Sequence, residues 1–121
     1  MQRELRILVV DDEPAVTQCL FLVLDQPDLK FASASNGKEA LTRIAAESFD
    51  FVITDHKMPG LSGLELVQQL REQNFKGKIV VLSAHLSNDN IRAYTELRVD
   101  EMLRKPFDLD QLCRVIDDLA G

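Results

Sequence analysis

The sequence predicts an α/β domain in which five strands and five helices alternate around a parallel sheet. Short runs of β-branched and leucine residues recur along the chain, as is typical of strands buried on both faces of a sheet. A helical pattern follows each run, and three of the helices begin with a polar residue suited to capping. At 121 residues the chain has the length of one domain, so residues 1–121 are predicted to fold as a single α/β unit.

The predicted strands comprise residues 6–10, 30–34, 51–55, 78–83 and 101–104. The predicted helices comprise residues 14–24, 37–47, 62–73, 88–97 and a last segment that starts after residue 108. The fourth helix has a narrow apolar face, formed by Ile91, Tyr94 and Leu97.

Three helix starts share the pattern of a capping box, in which a polar cap is followed three residues later by Glu or Gln. The predicted pairs are Asn36 with Glu39, Ser62 with Glu65, and Asp108 with Gln111.

Composition excludes several classes of protein. The net charge of -6 and the pI near 4.8 argue against direct nucleic-acid binding, which requires a basic surface. No apolar stretch approaches the roughly 20 residues of a membrane helix, and the N-terminus lacks the apolar region of a secretory signal. We therefore expect a cytoplasmic protein that has no membrane contact. Cys19 and Cys113 lack metal-ligand spacing and are predicted to be reduced, packed thiols.

Polar side chains stand at the ends of four predicted strands. Asp11 and Asp12 follow the first strand, Asp55 ends the third, Ser83 ends the fourth and Lys105 follows the fifth. Ligands of parallel sheets bind at the carboxyl ends of the strands. Three carboxylates, a hydroxyl and an ammonium at one rim indicate a site for a metal ion and a phosphoryl group.

The crowding of carboxylates favours a cation. Two like charges about 4 Å apart repel by roughly 4 kcal/mol at an effective dielectric near 20, and oxygen ligands suit Mg²⁺ (or Mn²⁺). Asp11 and Asp12 alone could equally cap the turn into the first helix, but Asp55 shifts the balance toward a metal. Alone, Lys105 would be interpreted as a surface lysine and Ser83 as a turn residue. Together with the aspartates they suit phosphoryl transfer, for which a carboxylate can be the nucleophile.

These motifs, in this order on these strand ends, resemble the receiver domains of two-component response regulators. The matching segments are Val9-Val10-Asp11-Asp12-Glu13, residues 55–63, Ser83-Ala84 and Lys105-Pro106-Phe107. The resemblance runs from Ile7 to Leu119. It implies a flavodoxin-like, doubly wound (βα)5 sheet with strand order 2-1-3-4-5 and helices on both faces.

The resemblance also implies a role for each site residue. Asp55 would accept a phosphoryl group from a sensor histidine kinase or a histidine phosphotransferase, while Ser83 and Lys105 would contact the phosphoryl oxygens. The only chemistry would be self-phosphorylation and slow autodephosphorylation, so the chain would not be an enzyme in any other sense. The residues implied for Mg²⁺ are Asp11 (mainly through water), Asp12, Asp55 and the main-chain carbonyl of Lys57. Pro59, Gly63 and a cis bond before Pro106 would shape the loops around the site.

Three positions depart from the family pattern or vary within it. Met102 occupies a position where many receivers have a Tyr or Phe, and methionine is flexible, so we expect a weaker rotameric switch. Lys57 and His85 lie two residues after Asp55 and Ser83. There they would tune dephosphorylation, with Lys57 giving a long-lived phospho-Asp55. A solvated Lys57 without a kinetic role and a solvated His85 at the rim are the alternatives.

Partner surfaces follow from the same resemblance. A kinase or phosphotransferase would dock near residues 14–16 and Phe107, although a core or lid role for Phe107 is equally compatible. An output domain or a second copy would use the fourth helix, the fifth strand and the fifth helix. Arginines of that region could pair with acidic partners or form a solvated face: Arg92, Arg98, Arg104 and Arg114.

Two other functions fit an α/β domain with an acidic rim. A metal-dependent aspartyl-phosphate hydrolase would carry two aspartates two residues apart after the first strand and a cap, whereas Asp11 and Asp12 are adjacent and no cap-sized insertion is present. A flavin or nucleotide module would need a glycine-rich loop after the first strand, where this chain is acidic. Turnover of a phosphoester would favour the hydrolase. Stoichiometric labelling of Asp55 would favour the receiver domain.

Overall fold

Five strands and five helices alternate in the computed structural model, which describes residues 4–23, 29–84, 86–106 and 108–120. The strands are β1 (Leu5–Val10), β2 (Leu29–Ala34), β3 (Phe51–Asp55), β4 (Lys78–Ser83) and β5 (Glu101–Arg104). The helices are α1 (Pro14–Val23), α2 (Gly37–Ala46), α3 (Gly63–Glu72), α4 (Asn88–Glu96) and α5 (Leu109–Ala120). Every predicted element is present. Within the described part of the chain, no helix is long and apolar enough to traverse a bilayer.

All strands are parallel and form one sheet in the order β2-β1-β3-β4-β5. The predicted fold class and the strand order 2-1-3-4-5 are therefore confirmed. The chain runs from β1 to one edge of the sheet and then returns to build β3, β4 and β5 on the other side of β1. The carboxyl ends of β1 and β3 consequently lie side by side where the direction of winding reverses, which is the usual ligand position in such sheets.

Alternating side chains of the strands build two cores, one on each face of the sheet. Leu8 and Val10 of β1 pack in a first core covered by α2, α3 and α4, where Tyr94 is fully buried. Ile7 and Val9 point the other way into a second core covered by α1 and α5. The period of two along β1 thus explains why helices occupy both faces.

The capping boxes form in one of the three predicted cases. Ser62 and Glu65 make both reciprocal hydrogen bonds at the start of α3. Asn36 accepts a hydrogen bond from the Glu39 N–H at 2.8 Å. The Glu39 carboxylate, however, bonds the N–H and hydroxyl of Ser35. The prediction for this second pair is therefore only half right, because the preceding serine offers two donors to the same carboxylate.

The third prediction is also only half right, because α5 begins after Asp108 as predicted and Asp108 caps it. The Asp108 carboxylate accepts a hydrogen bond from the N–H of Asp110, two residues on, at 2.9 Å. This local turn competes with a capping box, and no reciprocal bond from Gln111 is found among the described residues. Ser87, which was not predicted, caps α4 by accepting from the Asn90 N–H at 3.1 Å.

The described cysteine agrees with a packed thiol. Cys113 is free, partly buried and in contact with the second core. Burial raises the pKa of its thiol, and the negative charges of Asp117 and Asp110 raise it further, which keeps the sulfur protonated and unreactive. The side chain of Cys19 lies outside the described part of the chain.

Candidate functional site

The acidic cluster of Asp11, Asp12 and Asp55 lies at the rim where β1 and β3 end. One carboxylate oxygen from each residue lies within 4.8 Å of the others. Asp11 and Asp55 are buried, whereas Asp12 is exposed. The register of β1 against β3, which pairs Val10 with Thr54, brings the residues after these two positions together. The acidic cluster is therefore a direct consequence of the strand order.

Lys105 reaches the acidic cluster from the end of β5. Its Nζ donates a hydrogen bond to Asp11 Oδ2 at 3.1 Å and lies 3.4 Å from Asp55 Oδ2. Its main-chain N–H donates to the carbonyl of Ser83 at 2.7 Å, which anchors this segment to the end of β4. The side chain is only 17% exposed, so both ion pairs are largely shielded from water. The bond between Lys105 and Pro106 is cis.

The charges of the site are not balanced. Burial raises the pKa of Asp55, the neighbouring charge of Asp11 raises it too, and Lys105 opposes both effects. Burial acts to lower the pKa of Lys105. The hydrogen bond to Asp11 and the negative charges of Asp11 and Asp55 outweigh this effect, so the pKa of Lys105 is raised. The lysine therefore stays charged, while the carboxylate of Asp55 has less positive charge nearby than it needs. The ligand atoms that the acidic cluster offers are all carboxylate oxygens, which fits a hard divalent cation such as Mg²⁺.

Main-chain groups fix the position of Asp55. The N–H of His56 donates to Asp55 Oδ1 at 2.8 Å, which leaves Oδ2 facing Lys105. The N–H of Gly63 donates to the carbonyl of His56 at 2.8 Å. A Cβ atom on Gly63 would lie 2.3 Å from the Asp55 carbonyl oxygen and 2.9 Å from the His56 Cα. Only glycine permits the start of α3 to approach the site this closely.

The other predicted site residues differ in their distance from the acidic cluster. Ser83 is buried at the end of β4, next to β3. Met102 is half-buried, pairs with Val81 in the sheet register and packs against the first core. Lys57 and Pro59 are exposed in the loop between β3 and α3.

Two further predictions fall outside the structure. His85, predicted to tune dephosphorylation, and Phe107, predicted to contact a partner, lie outside the described residues.

Sequence reasoning missed a polar connection from Asp55 to α4. His56 Nδ1 lies 2.6 Å from the hydroxyl of Tyr94, and Nε2 lies 3.1 Å from Asn90 Nδ2. The two rings meet edge to face, with centroids 5.5 Å apart and an interplanar angle of 76°. One signal was available, because a buried tyrosine hydroxyl requires a polar partner.

Known proteins resemble this chain in both sequence and structure. Residues 7–117 match the family model described as the response regulator receiver domain. The response regulator MprA of Mycolicibacterium vanbaalenii is 40% identical over 107 residues, which cover 88% of this chain and 46% of MprA. The sensor histidine kinase GacS of Pseudomonas protegens is 33% identical over 121 residues, which cover 96% of this chain and 13% of GacS.

A solved structure provides the same match in three dimensions. The response regulator protein TrrA of Thermotoga maritima, in complex with Mg²⁺ and BeF, superposes with a TM-score of 0.83 at 35% identity. The match covers 95% of this chain and 98% of the TrrA chain. By contrast, the chain spans less than half the length of the curated relatives MprA and GacS.

Proposed function

Because the chain belongs to the response regulator receiver domain family, we propose that Asp55 accepts a phosphoryl group from a phosphohistidine of a partner protein. The donor would be a sensor histidine kinase or a histidine phosphotransferase. The name of GacS, a sensor histidine kinase, and the name of MprA, a response regulator, support a two-component setting. We further propose that residues 1–121 act together as one receiver domain, whose phosphorylated form alters a surface that a partner or output domain contacts.

One observation carries this proposal. The buried carboxylate of Asp55 lies 3.4 Å from the Lys105 ammonium, and two further carboxylates lie within 4.8 Å of it. A surface carboxylate would not need such surroundings. A carboxylate that attacks an anionic phosphoryl group needs positive charge nearby, because the oxygens of that group have to be neutralised.

The acidic cluster fits a divalent cation. Asp11, Asp12, Asp55 and the main-chain carbonyl of Lys57 would hold Mg²⁺ (or Mn²⁺), with Asp11 acting mainly through water. When bound, the ion would neutralise the carboxylates and the phosphoryl oxygens. The three carboxylates lie within 4.8 Å of one another, and the Lys105 ammonium pairs with two of them, which supports this assignment.

The residues of the chain account for the transfer step. An oxygen of Asp55 forms a bond to phosphorus while the P–N bond of the phosphohistidine breaks, and the bonding electron pair leaves with the histidine nitrogen. Lys105 pairs with the phosphoryl oxygens, and the Ser83 hydroxyl contacts one of them. The N–H of His56 holds the carboxylate in place during attack. The same residues would support slow hydrolysis of the acyl phosphate, so the only chemistry is on the chain's own aspartate.

The face formed by α4, β5 and α5 is the proposed output surface. An output domain or a second copy of the chain would bind there. The Met102 side chain, half-buried in that region, would replace an aromatic switch and give a weaker rotameric response.

Labelling with acetyl phosphate tests the proposal. Wild-type protein should incorporate one phosphoryl group per chain when Mg²⁺ is present and none in EDTA, as read by intact-protein mass spectrometry. Asp55→Asn should abolish the labelling, and the matched control Asp118→Asn, at an exposed position of α5, should leave it unchanged. Labelling that survives Asp55→Asn would refute the proposal. Repeated turnover of a chromogenic phosphoester would favour a hydrolase instead.

A further inference from the structure

His56 connects Asp55 to α4, through a hydrogen bond of its main-chain N–H and two hydrogen bonds of its ring. The N–H of His56 holds Asp55 Oδ1, and the ring of the same histidine contacts Tyr94 at 2.6 Å and Asn90 at 3.1 Å. Tyr94 has no solvent exposure, and His56 is half-buried. The contact spans 38 positions of sequence between β3 and α4. It is therefore a tertiary link between the site and the helix.

The atoms of this link are chemically matched. The Asn90 amide nitrogen is a donor, so His56 Nε2 accepts from it. The Nδ1–H of the neutral ring then donates to the Tyr94 oxygen. Both ring nitrogens are thus used, and rotation of the histidine would break two hydrogen bonds at once. Gly63 leaves room for this arrangement, since a Cβ there would lie 3.0 Å from the tyrosine oxygen.

The far end of α4 is held separately. Arg71 of α3 donates from Nε to the carbonyl of Leu97 and from Nη2 to the carbonyl of Arg98, both at 2.8 Å. Arg98 has a positive φ of 60°, as is common where a helix ends. The C-terminal end of α4 is therefore fixed to α3, whereas the part that carries Asn90 and Tyr94 is linked to the residue after Asp55.

The Met102 side chain on the neighbouring strand β5 provides no comparable hydrogen-bonded link. Met102 of β5 packs against the first core, and its thioether cannot donate a hydrogen bond and accepts only weakly. Burial raises the pKa of the Tyr94 phenol, and the negative charge of Asp55 raises it further. Tyr94 therefore interacts electrostatically with Asp55.

We propose that His56 and Tyr94 are positioning residues that orient Asp55 and carry a change at Asp55 to the Asn90 end of α4. This inference rests on the proposed function, since phosphorylation is the change to be carried. The aspartyl phosphate carries about -1.5 to -2 charges where the carboxylate carried about -1, and one oxygen of that carboxylate is already bonded by the His56 N–H. Any shift of that main-chain group moves the histidine ring and thereby the two side chains of α4 that it contacts. Arg71 then acts as the fixed end about which the helix responds.

Hydrogen exchange of the main-chain amides of α4 tests the proposal. It is measured on the whole chain with and without beryllofluoride and Mg²⁺, a phosphoryl mimic, in the wild type, Tyr94→Phe, Asn90→Ala and the control Glu96→Gln, at an exposed position of α4. In the wild type the mimic should change exchange near residues 90–94 by about fivefold, the equivalent of one hydrogen bond. Tyr94→Phe and Asn90→Ala should lose most of this change, and Glu96→Gln should retain it. The ratio with and without the mimic in each variant separates coupling from any general loosening of the helix.

Two results would overturn the inference. One is a response in Tyr94→Phe as large as in the wild type, and the other is loss of the response in Glu96→Gln with retention in Tyr94→Phe and Asn90→Ala. Labelling of Asp55 by acetyl phosphate is measured on the same samples. If the wild type is not labelled, the proposed function itself fails. If all variants are labelled and only the α4 response differs from the expectation, the inference alone fails.

Discussion

Replacing Lys105 with methionine tests whether this lysine neutralises the acidic cluster. At separations of 3.1 and 3.4 Å, each ion pair contributes about 5 kcal/mol of Coulomb energy at an effective dielectric near 20, before desolvation is counted. Removing one partner of a buried pair costs about 3–5 kcal/mol. Lys105 is partly exposed, so solvent screens a fraction of this. We expect Lys105→Met to lower the free energy of unfolding by about 2–3 kcal/mol without Mg²⁺.

The response to Mg²⁺ makes this prediction specific to the site. Carboxylate oxygens of the acidic cluster lie within 4.8 Å of one another, and at that separation two charges repel by about 3 kcal/mol at the same dielectric. The lysine forms the ion pairs of the acidic cluster among the described residues, so a bound cation has more charge to neutralise once the lysine is removed. Saturating Mg²⁺ should therefore stabilise Lys105→Met by about 1–2 kcal/mol more than it stabilises the wild type. Urea denaturation followed by circular dichroism, in EDTA and in Mg²⁺, measures both quantities.

A matched control is available on the opposite side of the molecule. Lys30 forms an exposed pair with Glu4 at 3.7 Å, so Lys30→Met should cost less than about 1 kcal/mol and show no dependence on Mg²⁺. Because the pKa of Lys105 is raised in the folded state, its contribution should be complete below the lysine's ordinary pKa and disappear only as pH rises through the raised value. If Lys105→Met loses no more stability than Lys30→Met, or gains no more from Mg²⁺ than the wild type, the electrostatic reasoning is wrong.

Three further predictions concern the loop and helix that follow Asp55. Gly63→Ala should destabilise the fold by about 1–3 kcal/mol, because its Cβ meets the Asp55 carbonyl; a change in urea midpoint below that of Ser62→Ala would contradict this. Ser62→Ala removes the bond that the Ser62 hydroxyl accepts from the Glu65 N–H, and should cost about 1 kcal/mol in the same assay. Lys57→Ala should shorten the lifetime of phospho-Asp55 after excess acetyl phosphate is removed, and an unchanged decay rate would show that Lys57 has no kinetic role.

The fold was predictable because each element carries its own signal. The runs that form β3 and β4 are largely apolar, and the predicted ends of β3, β4 and β5 are those of the structure. Helix starts were less certain, since polar side chains choose among several local donors. Glu39 bonds Ser35, and Asp108 bonds the N–H of Asp110, although both sequences fit a capping box. The preference between such bonds depends on atomic positions that the pattern of residue types does not contain.

The acidic cluster was predictable for a topological reason. Parallel strands deliver the residues that follow them to one rim, so Asp11, Asp55 and Lys105 had to approach one another once the sheet was assigned. Their pairing in detail was not predictable. The sequence suggested a lysine aimed at a phosphoryl group, whereas the structure shows Lys105 bonded first to Asp11, at 3.1 Å, and then near Asp55, at 3.4 Å.

The link between His56 and Tyr94 shows what strand ends alone cannot reveal. His56 follows the end of β3, but its side chain meets a helix rather than the rim, and the partner lies 38 positions away. Only the packing of α4 against the first core decides which polar group the buried tyrosine can reach. Burying a phenol without a hydrogen-bond partner costs about 1–3 kcal/mol. Tyr94 lies on the narrow apolar face of α4, so packing of this helix requires a polar partner for its hydroxyl. A helix with few apolar contacts can be held by a hydrogen bond to the site, and for that reason we expect α4 to respond to a change at Asp55.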